Sequence, residues 1–219
     1  MTVTWAIELD TEPAERVRAD VLVAPFFLGE RPLRGAVGRI DWRLGGLLSA
    51  MLARGAFEGA ADEAVLVPTG ARLRAPRALL VGLGAREGFA PRTLRAATRG
   101  AVLRAAALRA GTVAFALPAE AEGGLPAERA AAAALIGAGE ALQERPFPLR
   151  LRLAVEPGAA GRARLALAEL VPRIEMEGVV ARLTASEPHS DPAGDDDLPP
   201  PHRDPRVRNA ASAKPPSLP

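Results

Sequence analysis

The run Arg77-Ala-Leu-Leu-Val-Gly-Leu-Gly84 constrains this chain more than any other stretch. It is almost unbroken in apolar character and stops at two glycines. A polar turn over residues 85–88 then leads to Pro91 and an alanine- and leucine-rich helical pattern. A strand that is apolar on both sides has no face to show to water. It belongs inside a sheet with helices on both faces. An α/β fold follows, and the rest of the chain repeats the alternation.

Taken in order, residues 3–9 alternate in character and read as a first strand, placed at a sheet edge. Residues 20–28 read as a second, buried strand whose ladder should end at Pro25. Residues 29–39 are rich in glycine, proline and arginine and read as an exposed loop. Residues 40–54 read as one helix burying Leu44, Leu47, Leu48, Met51 and Leu52. Strands follow at 64–69 and 77–83. A helix over 91–110, opened by proline and closed at Gly111, puts Leu94, Ala97, Ala101, Ala105 and Leu108 on one face. Arg92, Arg95 and Arg99 lie on the opposite one. The pattern then gives a strand at 112–117, a helix at 126–143, and a half-exposed alternating strand at 149–155. A short helix at 159–170 and a closing strand at 178–183 complete it.

Beyond residue 185 the composition changes. Proline is dense, Asp195-Asp-Asp197 and Pro199-Pro-Pro201 follow, and large apolar residues are almost absent. Such a segment cannot bury enough surface to offset its ordering entropy. The expectation is an α/β domain over 1–185 and a disordered tail over 186–219.

The inventory excludes most chemistry. Residues 1–185 contain no histidine, cysteine, tyrosine, lysine or asparagine; His189 and His202 lie beyond them, and Lys214 is the only lysine. That removes the common general base, the Cys/His and Ser/His nucleophile pairs, Schiff-base lysine, imidazole metal ligands and any disulfide framework. Carboxylates remain. Asp20, Asp41, Asp62, Glu63 and Glu87 read as helix caps, turn residues and arginine partners, and no third ligand stands near Asp62-Glu63. No catalytic residue, metal or cofactor is expected. No run approaches the roughly 18 apolar residues of a membrane span, and the N-terminus lacks the plan of a signal peptide. The expected setting is the cytoplasm, away from membranes.

Two positive signals remain. Gly82-Leu-Gly84 after a strand is the start of a phosphate-cradling turn, but it lacks the third glycine of a dinucleotide fingerprint and the Gly-Lys-Ser/Thr of a P-loop. A tight strand-to-helix turn accounts for it and is the preferred reading. The other signal is arginine. Net charge is only +2, yet residues 72–109 hold nine arginines and one acid, Glu87. The Arg92, Arg95 and Arg99 face could meet nucleic-acid phosphates or an acidic partner. Phe89 is the only aromatic there to stack on a base, so a solvated helix face is preferred.

Five segments in their order carry a resemblance: Ala19-Asp-Val-Leu-Val23, Ile40-Asp-Trp-Arg-Leu-Gly-Gly46, Arg54-Gly-Ala-Phe-Glu-Gly59, Arg77 to Gly84, and Ile136-Gly-Ala-Gly-Glu-Ala-Leu142. Over roughly residues 3–155 the chain resembles the N-terminal domain of the two-metal leucyl (cytosol) aminopeptidases. The resemblance implies a three-layer, macro-domain-like α/β/α fold with a mixed, largely parallel sheet. In that family the metal ligands and catalytic groups belong to a separate C-terminal domain, with an Asn-Thr-Asp-Ala-Glu-Gly-Arg motif that this sequence lacks. No catalytic residue is carried over. The Asn-Ala-Ala-Asn segment of ADP-ribose-binding macro domains has no counterpart either; Ala24-Pro-Phe-Phe27 stands after Asp20-Val-Leu-Val23. What the resemblance implies is a non-catalytic, stand-alone interaction or regulatory domain, its partner a second copy or a full-length aminopeptidase. The alternatives are a nucleotide or ADP-ribose module at Gly82 and Gly84, and nucleic-acid binding through Arg92, Arg95 and Arg99.

Overall fold

The computed structural model describes residues 3–173 and 179–184. Seven strands, β1 (Val3–Asp10), β2 (Val21–Phe26), β3 (Ala64–Pro68), β4 (Arg77–Gly82), β5 (Thr112–Ala116), β6 (Arg150–Ala154) and β7 (Val179–Thr184), form one sheet in the order β3-β4-β2-β5-β6-β1-β7. Only the β3–β4 pair is antiparallel. Five helices, α1 (Gly35–Arg43), α2 (Leu47–Ala53), α3 (Pro91–Ala107), α4 (Ala127–Glu144) and α5 (Ala160–Leu170), cover it.

The period of two along each strand divides the core into two layers. Val21, Val23, Leu79, Val81, Val113, Phe115, Leu151 and Leu153 face Leu94, Ala101 and Ala105 of α3, the alanines of α4, and Leu167 of α5. Leu22, Ala24, Ala78, Leu80 and Ala114 point the other way, onto Val37 and Ile40 of α1 and Leu48 and Leu52 of α2. This is the three-layer, mixed and largely parallel architecture that the apolar run required. The tail expected over 186–219 lies outside the described residues.

Several local expectations are corrected. β1 is interior, between β6 and β7. β6 is not half-exposed. Arg150 alone is open and Leu151–Ala154 are buried, because the Arg152 side chain is matched by carboxylates on β1. The helix foreseen over 40–54 is two helices, and α1 begins inside the expected loop. Its end is a Schellman turn in which Gly45 donates to the Trp42 carbonyl (3.1 Å) and Gly46 to that of Asp41 (2.9 Å). Both glycines have positive φ (72° and 81°), and the chain turns there to start α2. The same geometry ends α3 earlier than Gly111: Arg109 takes the left-handed position (φ 54°), donating to Ala106, and Ala110 donates to Ala105. Pro25 ends the pairing of β2 with β5 at Val23, while the β4 ladder runs on to Phe26 opposite Gly82.

Candidate functional site

In an open parallel sheet, ligands bind outside the C-terminal strand ends, where loops diverge. Here two adjoining hollows of about 400 and 390 Å³ lie beyond the ends of β5, β6 and β1, sharing Leu117, Ala119, Val155 and Glu156. Their polar lining is mainly acidic: Glu12, Glu120, Glu122 and Glu156. The two guanidinium groups at the rim are engaged. Arg39 donates to both Glu15 oxygens at 3.1 Å. Arg162 reaches Glu120 at 3.4 Å and lies 3.2 Å from Glu128 Oε2, close enough for an ion pair although not aligned for a hydrogen bond.

The chain places its own carboxylates where an external anion would sit. Glu63 accepts hydrogen bonds from three successive amides, Glu58 (3.0 Å), Gly59 (2.7 Å) and Ala60 (3.0 Å), a nest of N–H groups filled from within. The Glu122 carboxylate lies against Gly35, the first residue of α1. Burial pushes the Glu122 carboxyl above its usual range; Arg39 and Arg86 oppose the shift, and Glu156 and Glu30 add to it. Arg86 crosses the same end. Its guanidinium lies 4.0 Å from the Phe27 ring centre, pairs with Glu30 at 3.3 Å, and donates to the Glu122 carbonyl. Loops after β2, β4 and β5 are thereby stitched together.

Gly82 and Gly84 stand at this end of the sheet, and both are buried. The amides of Gly82, Leu83 and Gly84 already donate to Glu63, Phe26 and Gly59 carbonyls at 2.8–2.9 Å. A side chain at Gly82 would run into the Ala60 carbonyl. These glycines admit the 59–63 segment of the chain itself.

Two of the three arginines on the α3 face are paired at the surface and remain partly open to water. Arg95 donates to Glu140 and Arg99 to Glu144, so two arginines one turn apart meet two glutamates one turn apart on α4. The hydrogen bond from Arg95 holds the Glu140 carboxyl below its usual range. Arg92 is exposed. Four of the five carboxylates read as structural, Asp20, Asp41, Asp62 and Glu63, are so placed, and Glu87 is exposed. Asp41 caps α2 through the Leu48 and Ser49 amides (2.7 and 3.1 Å), Asp62 pairs with Arg104 (3.3 Å), and Asp20 accepts from the Thr112 amide (2.9 Å). Among the described residues, no three of His, Cys, Asp and Glu stand together as a metal-ligand set, and no helix is long and apolar enough to cross a membrane.

Residues 23–144, more than half of the chain, match the N-terminal domain of the cytosol aminopeptidase family. The chain belongs to that family. A probable cytosol aminopeptidase of Alkaliphilus oremlandii is 27% identical over 109 residues, 50% of this chain and 22% of the relative. One from Trichormus variabilis is 32% identical over 92 residues, 42% of this chain and 19% of the relative. The cytosol aminopeptidase domain described here thus spans about a fifth of the length of these curated relatives. Among solved structures, the Oceanobacillus iheyensis macrodomain with ADP superposes with a TM-score of 0.64 at 16% identity, over 75% of this chain and 91% of that one. The Trypanosoma brucei macrodomain in complex with ADP-ribose gives 0.61 at 21% identity, over 74% and 68%. The macrodomain likeness establishes the fold of this aminopeptidase-family domain.

Sequence reasoning did not find the Arg86–Glu122 tie or the Glu63 nest. Each joins loops far apart in the chain or depends on loop conformation, and neither leaves a motif.

Proposed function

We propose that this cytosol aminopeptidase-family domain is a non-catalytic protein-interaction module whose partner is a second copy of itself or a full-length aminopeptidase. The observation that carries the reading is Trp42. Its indole is 60% exposed on the outer side of α1, with the Arg43 guanidinium 5.6 Å from the ring centre and Arg39 one turn back. Tryptophan and arginine are both enriched among interface hot spots, and a tryptophan open to water beside arginine offers both in one patch. Sedimentation of the protein alone and mixed with a full-length cytosol aminopeptidase tests this. Association weakened at least about tenfold by Trp42→Ala is expected, on the scale of one hot-spot residue. A single monomeric species in both samples would refute it. In the same preparation, leucyl-anilide should release no amine with or without added zinc or manganese. Turnover that survives further chromatography would overturn the non-catalytic reading.

A second reading, a nucleotide or ADP-ribose module, draws on the macrodomains solved with ADP and ADP-ribose. The acidic strand-end lining and the internally used amides of 82–84 weigh against it, since a pyrophosphate would meet Glu122 and Glu156 without an unpaired cation at the rim. Calorimetry should detect no ADP-ribose binding tighter than millimolar. Micromolar binding would reverse the ranking.

A further inference from the structure

β3 closes one edge of the sheet and, among the described residues, pairs with β4 alone. The hairpin ladder fixes which way each of its backbone groups points. Gly82 donates to the Glu63 carbonyl (2.8 Å) and Thr69 to that of Pro76 (3.1 Å), so residues 63, 65, 67 and 69 turn their amides and carbonyls towards β4. Ala64, Leu66 and Pro68 turn theirs outwards. Pro68, which has no N–H, falls on that outward side, where proline costs the ladder nothing.

The edge is apolar. Ala64–Pro68 carries no charge, and Leu66, its midpoint, is 42% exposed. Charged side chains, bulges or a covering element commonly guard such an edge; within this strand only Pro68 does. Among the described residues, no hydrogen bond outside the ladder reaches the Ala64 or Leu66 amides or the Leu66 carbonyl. An antiparallel copy of the same strand, related by a two-fold axis at Leu66, complements these groups. The two Leu66 residues exchange N–H···O bonds, and each Ala64 amide meets the Pro68 carbonyl of the other copy. Only the Ala64 carbonyls are left to water. The flanks of β3 are also of opposite sign, with exposed Asp62 before the strand and Arg72 after it. The two-fold lays Asp62 of one copy beside the 70–72 loop of the other, so acid meets base at both ends.

We propose that the β3 edge binds a second copy of this chain, antiparallel and about a two-fold axis at Leu66, joining two seven-stranded sheets into one. The proposal rests on the interaction-module reading; it assigns the second copy to β3 and leaves Trp42 on α1 to the aminopeptidase. An extended peptide from another protein would find the same backbone groups but not the reciprocal Asp62 and Arg72 flanks. A five-residue strand pair is smaller than a stable interface of about 1,000 Å², so the dimer is transient and forms at high protein concentration.

Sedimentation of the full chain over rising concentration should show a monomer–dimer equilibrium. Leu66→Lys and Leu66→Glu each set like charges face to face across the axis, so each alone should weaken the dimer at least about tenfold. Mixing the two variants should restore it, because residue 66 meets its own counterpart in this register. Hydrogen exchange on the unaltered protein keeps the test decisive even if a variant folds poorly: the Ala64 and Leu66 amides should slow as concentration rises. Trp42→Ala should leave the dimer intact. A monomer at every concentration, or edge amides that never slow, overturns the proposal. So does a dimer unchanged in Leu66→Lys, one lost in Trp42→Ala, or a mixture that stays monomeric although both variants melt like the parent. Association that runs on past the dimer overturns it too. If Trp42-dependent binding of the aminopeptidase persists without the dimer, the β3 assignment falls and the interaction module stands; if neither forms, both fall.

Discussion

Arg152 shows what a single residue can commit a sheet to. It is 7% exposed in the middle of β6, with Nη2 2.6 Å from Asp10, Nε 3.4 Å from Glu8, and Nη1 donating to the Arg18 carbonyl at 3.1 Å. Glu8 and Asp10 are buried too, at 4% and 5%. Among the described residues, removing the cation leaves buried Asp10 without an ion-pair partner and Glu8 with only Arg150 (3.1 Å) and the Thr184 hydroxyl (3.2 Å). Arg152→Met should therefore lower stability by about 3–5 kcal/mol in urea unfolding, much more than an exposed ion pair is worth. Replacing Glu8, Asp10 and Arg152 together by apolar residues should cost less than the single change, because no uncompensated charge remains. Glu122 offers a test of opposite sign. Its carboxyl is raised, so the folded state binds a proton more tightly than the unfolded chain. Its contribution favours folding at low pH and is lost as pH rises through the folded pKa. Glu122→Gln should be more stable than the parent at pH 7, with the gap closing in acid; melting curves across that range would show it. An equal difference at every pH would assign the effect to packing.

Between elements, the closest decision is at the α3–α4 crossing. Gly137 of α4 lies against the Arg95 carbonyl of α3, and a Cβ there would collide with backbone. Alanine gains about 1 kcal/mol over glycine in a helix interior, whereas overpacking a rigid contact costs about 1–3 kcal/mol. Backbone cannot swing aside as a side chain can, so the clash should win. Gly137→Ala should destabilise and Gly137→Val more so, by chemical denaturation; a stabilised Gly137→Ala would show that the helices can separate at no cost. That crossing also explains why the α3 face misleads. The amphipathic pattern of α3 puts Leu94, Ala97, Ala101, Ala105 and Leu108 on the core side; Leu94, Ala101 and Ala105 are buried, and Ala97 and Leu108 are partly buried against the core. The pattern does not contain α4, whose Glu140 and Glu144 meet Arg95 and Arg99.

For the whole molecule, β7 makes the boundary near residue 185 testable. Its six residues pair with β1 from Val3 opposite Val179 to Glu8 opposite Thr184, and Thr184 donates to Glu8 at 3.2 Å. Truncation from residue 186 onward should leave Tm within about 2 °C of the full chain, whereas truncation from residue 174 should lower it by more than about 5 °C, on the order of 1–2 kcal/mol or more. A large drop on the first cut would mean that the 186–219 segment docks on the domain. The α/β class, the apolar strands and the helical faces were legible because each is a local period in burial, written in consecutive residues. The carboxylates Asp41 and Asp62 were legible as caps and partners for the same reason of proximity to element ends. What the periods left open was set by neighbours distant in the chain. The β1 strand is interior because β7 arrives beside it. The alternation of β6 is buried because Arg152 meets Glu8, opposite it on β1, and Asp10, 142 residues away. Seven of the arginines lie at one end of the sheet because the parallel strands β2, β4, β5 and β6 bring their entering connections to the same side, and charge without a period becomes a surface only when the topology closes.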